Sequence, residues 1–338
     1  MTDLEPVTLS RLYTISQKAG WDSAFILGEL NQTGNLFAEP RRDTKKNPIH
    51  QKPLVPISRV KKKNEVEENN SVVTLNQIFG PSGRLSETID SFEDRPDQLS
   101  MAIQISGAMD NNECMFIEAG TGTGKSLAYL VPALLSASQK EMTTIISTNT
   151  LNLQEQLLDN DLPVALKCME TKSQPLMSST KITVLKGRSN YLCKRRLENY
   201  LDRPTLTFEE SMLLGKLLVW SEYTTTGDKS EISITRSNHN GMWRKLSAEG
   251  AGNCDFYDQC FLKTARDKAA SAKVVITNHS LLFANIASGS SILPAYDHLI
   301  IDEAHHLEEQ ATNSFGYEIK LSNLNDIFEE LNLSLIHI

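Results

Sequence analysis

Two stretches of this chain combine residue types at spacings that phosphate chemistry demands. The first is Ala119-Gly120-Thr121-Gly122-Thr123-Gly124-Lys125-Ser126, set between an apolar run and a helix-forming run. Glycines let backbone N–H groups converge on phosphate oxygens, because they tolerate positive φ and leave room for the ligand. The helix that follows adds the partial positive charge of its N-terminus. In such a loop Lys125 reaches the β- and γ-phosphates and the Ser126 hydroxyl sits on Mg²⁺. A glycine-rich turn without chemistry is the plain alternative, and the strand–loop–helix setting argues against it. The second stretch, Leu299-Ile300-Ile301-Asp302-Glu303-Ala304-His305, is an apolar run ending in two acids and a histidine. At the C-terminal end of a buried strand, Asp302 faces the crevice where open α/β sheets take their ligands. There it holds Mg²⁺, mostly through water, while Glu303 orients and deprotonates the attacking water and His305 senses the nucleotide state. Taken alone, the acid pair also reads as the cap of a helix. Together the two stretches predict an ATP- and Mg²⁺-dependent hydrolase with Lys125, Asp302, Glu303 and His305 as its catalytic side chains.

Such residues need a rigid frame, and the chain carries the pattern of one. Cys114–Ala119, Thr143–Thr148, Lys181–Gly187, Lys273–His279 and His298–Ala304 are short apolar runs of strand length. Their near-continuous Val/Ile/Leu content predicts a parallel sheet covered on both faces. Amphipathic stretches between them, among them Ser126–Ala137 and Leu151–Leu157, read as helices, so the fold class is α/β, doubly wound. Residues up to about Val73 differ. Leu9–Leu30 has helical apolar spacing that suits a short helix pair. A polar, basic segment follows, from Arg41, Arg42, Lys45 and Lys46 to Arg59, Lys61, Lys62 and Lys63, with an acidic tail at Glu65, Glu67 and Glu68. It is expected to be a solvated linker, with a DNA-touching arm as the alternative.

The net charge of −8 does not exclude nucleic acid as a partner, since a local basic groove suffices for binding. No apolar run is long enough to span a membrane, and the N-terminus lacks the layout of a secretory signal. The expected location is cytoplasmic. Five cysteines, an odd count, argue against structural disulfides and leave metal binding or core packing. Cys114, at the start of a predicted strand, is expected in the core.

Three further segments narrow the class. Arg95-Pro96-x-Gln98 resembles the adenine-reading segment upstream of the P-loop in superfamily 2 helicases. Gln98 can make two hydrogen bonds to an adenine edge, and a helix start with Pro96 in its first turn explains the same residues. Ser147-Thr148-Asn149-Thr150-Leu151 with Leu153-Gln154-Glu155-Gln156-Leu157 resembles that family's single-strand-contacting motif, whose hydroxyl and amide donors hold phosphates without reading sequence. Gly187-Arg188-Ser189-Asn190-Tyr191-Leu192-Cys193 resembles the way into the iron–sulfur domain of DinG and XPD helicases. Cys254–Phe261, Ala265-Arg266 and Ala272–Leu282 resemble its way out, and the resemblance runs from about Leu75 to Glu309. It implies a RecA-like P-loop NTPase domain in two parts, 74–186 and 262–309, around an iron–sulfur-type insertion at 187–261. Residues 1–73 are then a variable N-terminal segment and linker, and 310–338 the start of a truncated helical insertion. It also implies ATP-driven 5′→3′ translocation on single-stranded and forked DNA by a motor that is monomeric in its full-length form, with a role in DNA repair. The nucleotide is then held by Arg95, Gln98 and Ala119 to Ser126, with Mg²⁺ on Ser126 and Asp302.

A [4Fe–4S] cluster, which the family carries, takes four thiolates. The insertion offers Cys193, Cys254 and Cys260, with Cys168 from outside the insertion and His239 as the candidates for a fourth ligand. A bound cluster stapling an insertion poor in core residues, and a remnant whose cysteines pack as small hydrophobes, both stay open. Tyr191, Phe256 and Tyr257 are candidates for stacking on bases, each worth roughly 1–3 kcal/mol, or for core packing. The family closes its ATP cleft with arginines from a second motor domain and completes its first sheet with a later strand. The chain runs only a short way past His305, and Leu333–Ile338 matches one reading frame of a sequencing-library adapter. The expectation is therefore an N-terminal fragment with an unpaired sheet edge, whose Met1 need not be the natural start. A non-catalytic nucleotide- and DNA-binding module is the alternative function.

Overall fold

The computed structural model describes residues 4–21, 24, 27, 73–89, 92–120, 122–170, 181–234, 237–250, 254 and 257–316. The basic linker, the second half of the predicted N-terminal helix pair, Thr121, Phe256 and the segment 317–338 lie outside the described residues. In chain order the described residues form α1 (Pro6–Ala19), two short helices, α2 (Pro96–Asn111), α3 (Lys125–Gln139), β1 (Thr144–Thr148), α4 (Leu151–Gln156), a π-helical turn (Leu157–Asp161) and α5 (Leu162–Met169). Then come β2 (Ile182–Val184), α6 (Lys194–Leu201), α7 (Phe208–Tyr223), α8 (Ser237–Leu246), α9 (Phe261–Ala270), β3 (Val274–Asn278), α10 (His279–Ala287), β4 (His298–Ile301) and α11 (Leu307–Phe315). They fall into two compact units, one of 73–186 with 268–338 and one of 1–72 with 187–267.

The first unit is α/β. Its sheet has the order β2-β3-β1-β4, every pair parallel, with Ile146 opposite Ile276 on one side and Ile300 on the other. The inner strands are the most apolar and the most buried: Ile145, Ile146, Val274, Val275 and Ile276 are all fully covered. Continuous Val/Ile runs suit strands enclosed on both faces, because neither side of the pleat meets water. Helix α3 supplies much of the covering, with Leu130, Val131, Ala133 and Leu134 buried. Between α4 and α5 the helix widens into the π turn. Pro163 has no N–H to give to the carbonyl of Asp159, and its ring crowds that carbonyl.

The fifth predicted strand does not form. Residues Cys114–Ala119 run without secondary structure and stand largely in solvent, with Phe116 91% exposed and Cys114 exposed as well. This corrects the expectation of a buried strand and of a core cysteine. A strand exists only by hydrogen bonding to a neighbour, and among the described residues 114–119 make no backbone–backbone hydrogen bond. Among the described residues strand β4 pairs with β1 alone and forms an edge, and its Leu299 is 39% exposed.

The second unit is helical and has a core of its own. Leu192, Leu197, Leu213, Leu214, Leu217, Leu218, Trp243 and Leu246 pack with Leu9, Leu12 and Ile15 of α1. The expectation of an insertion poor in core residues is thereby corrected: α1 contributes one side of the core, and leucines on α6, α7 and α8 the rest. Trp21 Nε1 donates to Ser211 Oγ at 2.8 Å, and Lys18 Nζ to the carbonyls of Leu201 and Arg203 at 3.0 and 2.8 Å. A capping box starts α7, with Thr207 Oγ1 accepting from the Glu210 N–H and Glu210 Oε2 from the Thr207 N–H.

Candidate nucleotide site

The glycine-rich loop opens α3 as the sequence predicts. Gly122 and Gly124 stand at φ +83° and +76°, a region glycine enters without steric cost. Gly124 is also pressed from beneath. Gln98 on α2 is 5% exposed, and its Nε2 donates to the Gly124 carbonyl at 2.9 Å. A Cβ at Gly124 would meet that nitrogen at 2.1 Å. Gln98 therefore braces the loop, with its amide nitrogen engaged as a donor. Arg95 precedes α2, half-exposed, and pairs with Glu93 at 3.3 Å. Thr123 Oγ1 donates to the Gly120 carbonyl at 3.0 Å. Gly120 is exposed and Ala119 half-buried at the end of the unpaired segment.

The carboxylate pair meets this loop. Lys125 Nζ lies 3.6 Å from Glu303 Oε1, and both side chains are about two-thirds buried. Tyr129, one helical turn after Lys125, donates from its hydroxyl to Asp302 Oδ2 at 3.1 Å. The Asp302 N–H donates to the Ser147 carbonyl at 2.9 Å, and the Glu303 N–H to Asp302 Oδ1 at 3.0 Å. Glu303 itself stands at φ +54°, ψ +46°, a left-handed conformation that costs a non-glycine residue about 1–2 kcal/mol. His305 is exposed, its Nδ1 3.4 Å from Glu303 Oε2 and its ring against that of His306.

Burial sets the electrostatics. It raises the Asp302 carboxyl above the usual range, and the Glu303 charge adds to this, while the Tyr129 hydrogen bond and Lys125 pull the other way. Tyr129 is pushed up by its own burial and by Asp302. A further carboxylate joins them from the π turn: Asp161, raised by burial and by Asp302, has the Ser126 hydroxyl against it. Its Oδ2 is buried without a hydrogen-bond partner. Ser126, Asp161 and Asp302 make an all-oxygen donor set with surplus negative charge, which fits a hard divalent cation. Tyr129 and Asp161 were not singled out from the sequence. Tyr129 had one signal, its position four residues after Lys125 on the same helical face; Asp161 had none.

The strand ends are more occupied than the sequence implies. Ser147 and Thr148 are fully buried. Ser147 Oγ lies 2.7 Å from His279 Nδ1, and Thr148 Oγ1 donates to the Thr150 and Thr277 carbonyls at 3.2 and 3.4 Å. Thr150 Oγ1 accepts from the Leu153 N–H and caps α4. Of the proposed phosphate-contacting string, Ser147, Thr148 and Gln154 are buried, and Asn149, Thr150, Glu155 and Gln156 are the polar members that reach the surface.

The cysteines give no such convergence. Cys193 is 8% exposed in an apolar patch with Tyr191 and Ala248, while Cys254 and Cys260 are half-buried. Among the described residues no three His, Cys, Asp or Glu side chains gather to hold a metal. Three thiolates, one of them packed among apolar groups, do not fit a four-iron cluster. Tyr191 is 3% exposed and serves the core rather than a base-stacking face. Among the described residues no helix is long and apolar enough to cross a membrane.

Residues 95–185 match the family described as DEAD/DEAH box helicase. The chain is 36% identical over 266 residues to the ATP-dependent DNA helicase YoaA of Haemophilus influenzae, covering 76% of this chain and 40% of that protein. It is 34% identical over 247 residues to the ATP-dependent helicase DinG of Mycobacterium tuberculosis, covering 68% of this chain and 37% of that protein. It is 33% identical over 257 residues to the 3′-5′ exonuclease DinG of Bacillus subtilis, covering 74% and 26%. The matched region thus spans 40% or less of these relatives' length. The parallel sheet and the match together make the first unit a RecA-like helicase domain.

Proposed function

Since the chain is a DinG-like member of the DEAD/DEAH box helicases, we propose that it binds ATP–Mg²⁺ at the Lys125–Asp302 face and uses it to work on single-stranded and forked DNA. The observation that carries this is the 3.6 Å approach of Lys125 Nζ to Glu303 Oε1, side chains 178 positions apart in sequence that meet at one mouth of the sheet. When bound, Mg²⁺ neutralises charge on the phosphates and fixes their orientation. Ser126 and Asp302 are the residues to hold it, with Asp161 beside them. Gly120, Gly122 and Gly124 present backbone N–H groups to the phosphates, and Lys125 exchanges its ion pair with Glu303 for phosphate oxygens. Glu303, released, orients the attacking water and takes its proton. His305, against Glu303, senses the change. Gln98 and Arg95 face the base, and Asn149 and Thr150 are the candidates to meet the strand.

The finer parts of the proposal rest on the family. They are 5′→3′ translocation, a monomeric motor, a cytoplasmic setting, and the division into 74–186 and 262–309 as the motor domain around an insertion at 187–261. The cleft described here is lined from one side, so hydrolysis at a motor's rate requires charge neutralisation from a second lobe, worth about 10³–10⁵ in rate where an arginine supplies it. The assignment is tested by titrating a fluorescent ATP analogue with Mg²⁺ against the chain and its Lys125→Ala form. A clear loss of affinity in the variant is expected; equal affinities would sink it.

A further inference from the structure

His279 has no part in the nucleotide site described above, yet it is fully buried beside Asp302 and Glu303. It opens α10 immediately after β3, and Asn278 Oδ1 caps that helix by accepting from the Leu281 N–H at 3.0 Å. Its Nδ1 lies 2.7 Å from Ser147 Oγ on the neighbouring strand β1. The imidazole also lies within hydrogen-bonding reach of the backbone of Asp302 and Glu303. Its Nε2 is buried and makes no hydrogen bond. A neutral imidazole carries a single proton, on one ring nitrogen or the other. With Ser147 Oγ–H donating to Nδ1, that proton sits on Nε2 and points at the Asp302–Glu303 turn. A buried donor left unpaired is costly, and an apolar side chain would fill the same space without that cost.

The turn it faces is itself under strain, with Glu303 in the left-handed region. The Asp302 N–H is tied to the Ser147 carbonyl, so Ser147 touches the turn through its backbone and His279 through its side chain. A buried donor without a well-aligned hydrogen bond and a strained turn whose backbone lies within its reach describe one contact that is approached but not closed.

We propose that His279 is a positioning residue for the Asp302–Glu303 turn: its Nε2–H donates to a carbonyl of that turn when a nucleoside triphosphate with Mg²⁺ draws Asp302 and Glu303 toward the phosphates. The γ-phosphate is then read not only at the cleft but also at Ser147, next to the point where β1 runs on into Asn149 and Thr150. The contact forms with a triphosphate and not with a diphosphate, because Asp302 and Glu303 respond to the γ-phosphate and its metal. This inference rests on the proposal that these two acids face the nucleotide.

The test compares affinities for Mg–ATPγS and Mg–ADP in the 338-residue chain and in two variants. His279→Asn keeps a polar group near Nδ1 for Ser147 and removes the donor toward the turn. His279→Gln restores a donor at the Nε2 position. The preference for ATPγS over ADP should fall roughly tenfold in His279→Asn, with ADP affinity unchanged, and return in His279→Gln. A preference unchanged in a His279→Asn protein that melts like the parent overturns the proposal. Should both variants fail to fold, ¹⁵N-histidine spectra of the parent decide. The Nε2–H resonance should move downfield with Mg–ATPγS and stay with Mg–ADP; no movement with either overturns it. Lys125→Ala separates the two ideas: if it leaves both affinities intact the nucleotide site itself is wrong, whereas loss there with no change in His279→Asn condemns the His279 contact alone.

Discussion

The sheet unit and the helical unit are built from similar apolar side chains but use their polar groups differently. In the helical unit polar groups close structure. Thr207 and Glu210 cap α7, Trp21 and Ser211 tie α1 down, and Lys18 takes two carbonyls at the end of α6. In the sheet unit polar groups gather at the carboxyl ends of the strands and are left incompletely satisfied. Asp161 Oδ2 and His279 Nε2 are buried without partners, Asp302 is buried beside Glu303, and Glu303 is strained. The helical unit is not wholly closed either, since Glu222 Oε1 is buried without a hydrogen-bond partner; what sets the sheet unit apart is that two such atoms, on Asp161 and His279, belong to the surroundings of Asp302. Buried polar atoms without partners, gathered beside a carboxylate pair, are a pattern that functional sites share.

If that distinction is right, the largest stability effect belongs to the helical core and leaves the nucleotide untouched. Leu214→Ala removes a fully buried side chain of α7 and should cost about 2–5 kcal/mol. Urea denaturation reads the loss, and nucleotide affinity of the folded variant should match the parent. An affinity that falls with stability would mean that the two units are not separable in this way.

A smaller effect, of opposite character, is expected from Asp161→Asn in the sheet unit. Burial raises the folded-state pKa of Asp161 and Asp302, so in metal-free protein, at pH between the ordinary carboxylate range and the raised values, these groups hold protons that the unfolded chain releases. Their contribution is fully present below the ordinary carboxylate range and is lost as pH rises through the raised values. Asp161→Asn should flatten that fall in stability, measured by urea midpoints in EDTA at several pH values, and Mg²⁺ should recover the loss in the parent. Identical pH profiles would remove Asp161 from the cation site.

The smallest effect contrasts the open and the closed flank of the sheet unit and needs no mutation. Cys114 stands in solvent, whereas Cys168 on α5 is fully buried and its thiol is pushed up by desolvation. Less thiolate and less access both slow its alkylation. Timed labelling with iodoacetamide at mildly alkaline pH, mapped by peptide mass, should find Cys114 first, Cys254 and Cys260 next, and Cys168 with Cys193 last. Slow labelling of Cys114 would show that something covers the segment 114–119.

Much of the sheet unit was legible in the chain. Continuous Val/Ile runs announced β1, β3 and β4, and a glycine string before a helix announced the phosphate loop, because local backbone demands write themselves into residue type. The helical unit was less legible. Leu9, Leu12 and Ile15 spell an amphipathic helix, but nothing near them says that leucines some two hundred positions away complete its core. Cys114–Ala119 failed for the same reason in reverse: the run has strand composition, but a strand needs a neighbour's carbonyls and N–H groups, which composition does not record.

What residue order alone settled is the set of local conformations and the identity of the chemistry: Gly122 and Gly124 for positive φ, Lys125 and Ser126 for phosphate and metal, Asp302 and Glu303 after an apolar strand. What the folded chain had to settle is which side chains share a dielectric. Tyr129 and Asp161 became part of the Asp302 environment, and His279 was placed beneath it with Ser147, through parallel pairing of β1 with β3 and β4. Hydrogen-bond reach and burial depend on distance in space, and separations of more than a hundred residues carry no local trace of it.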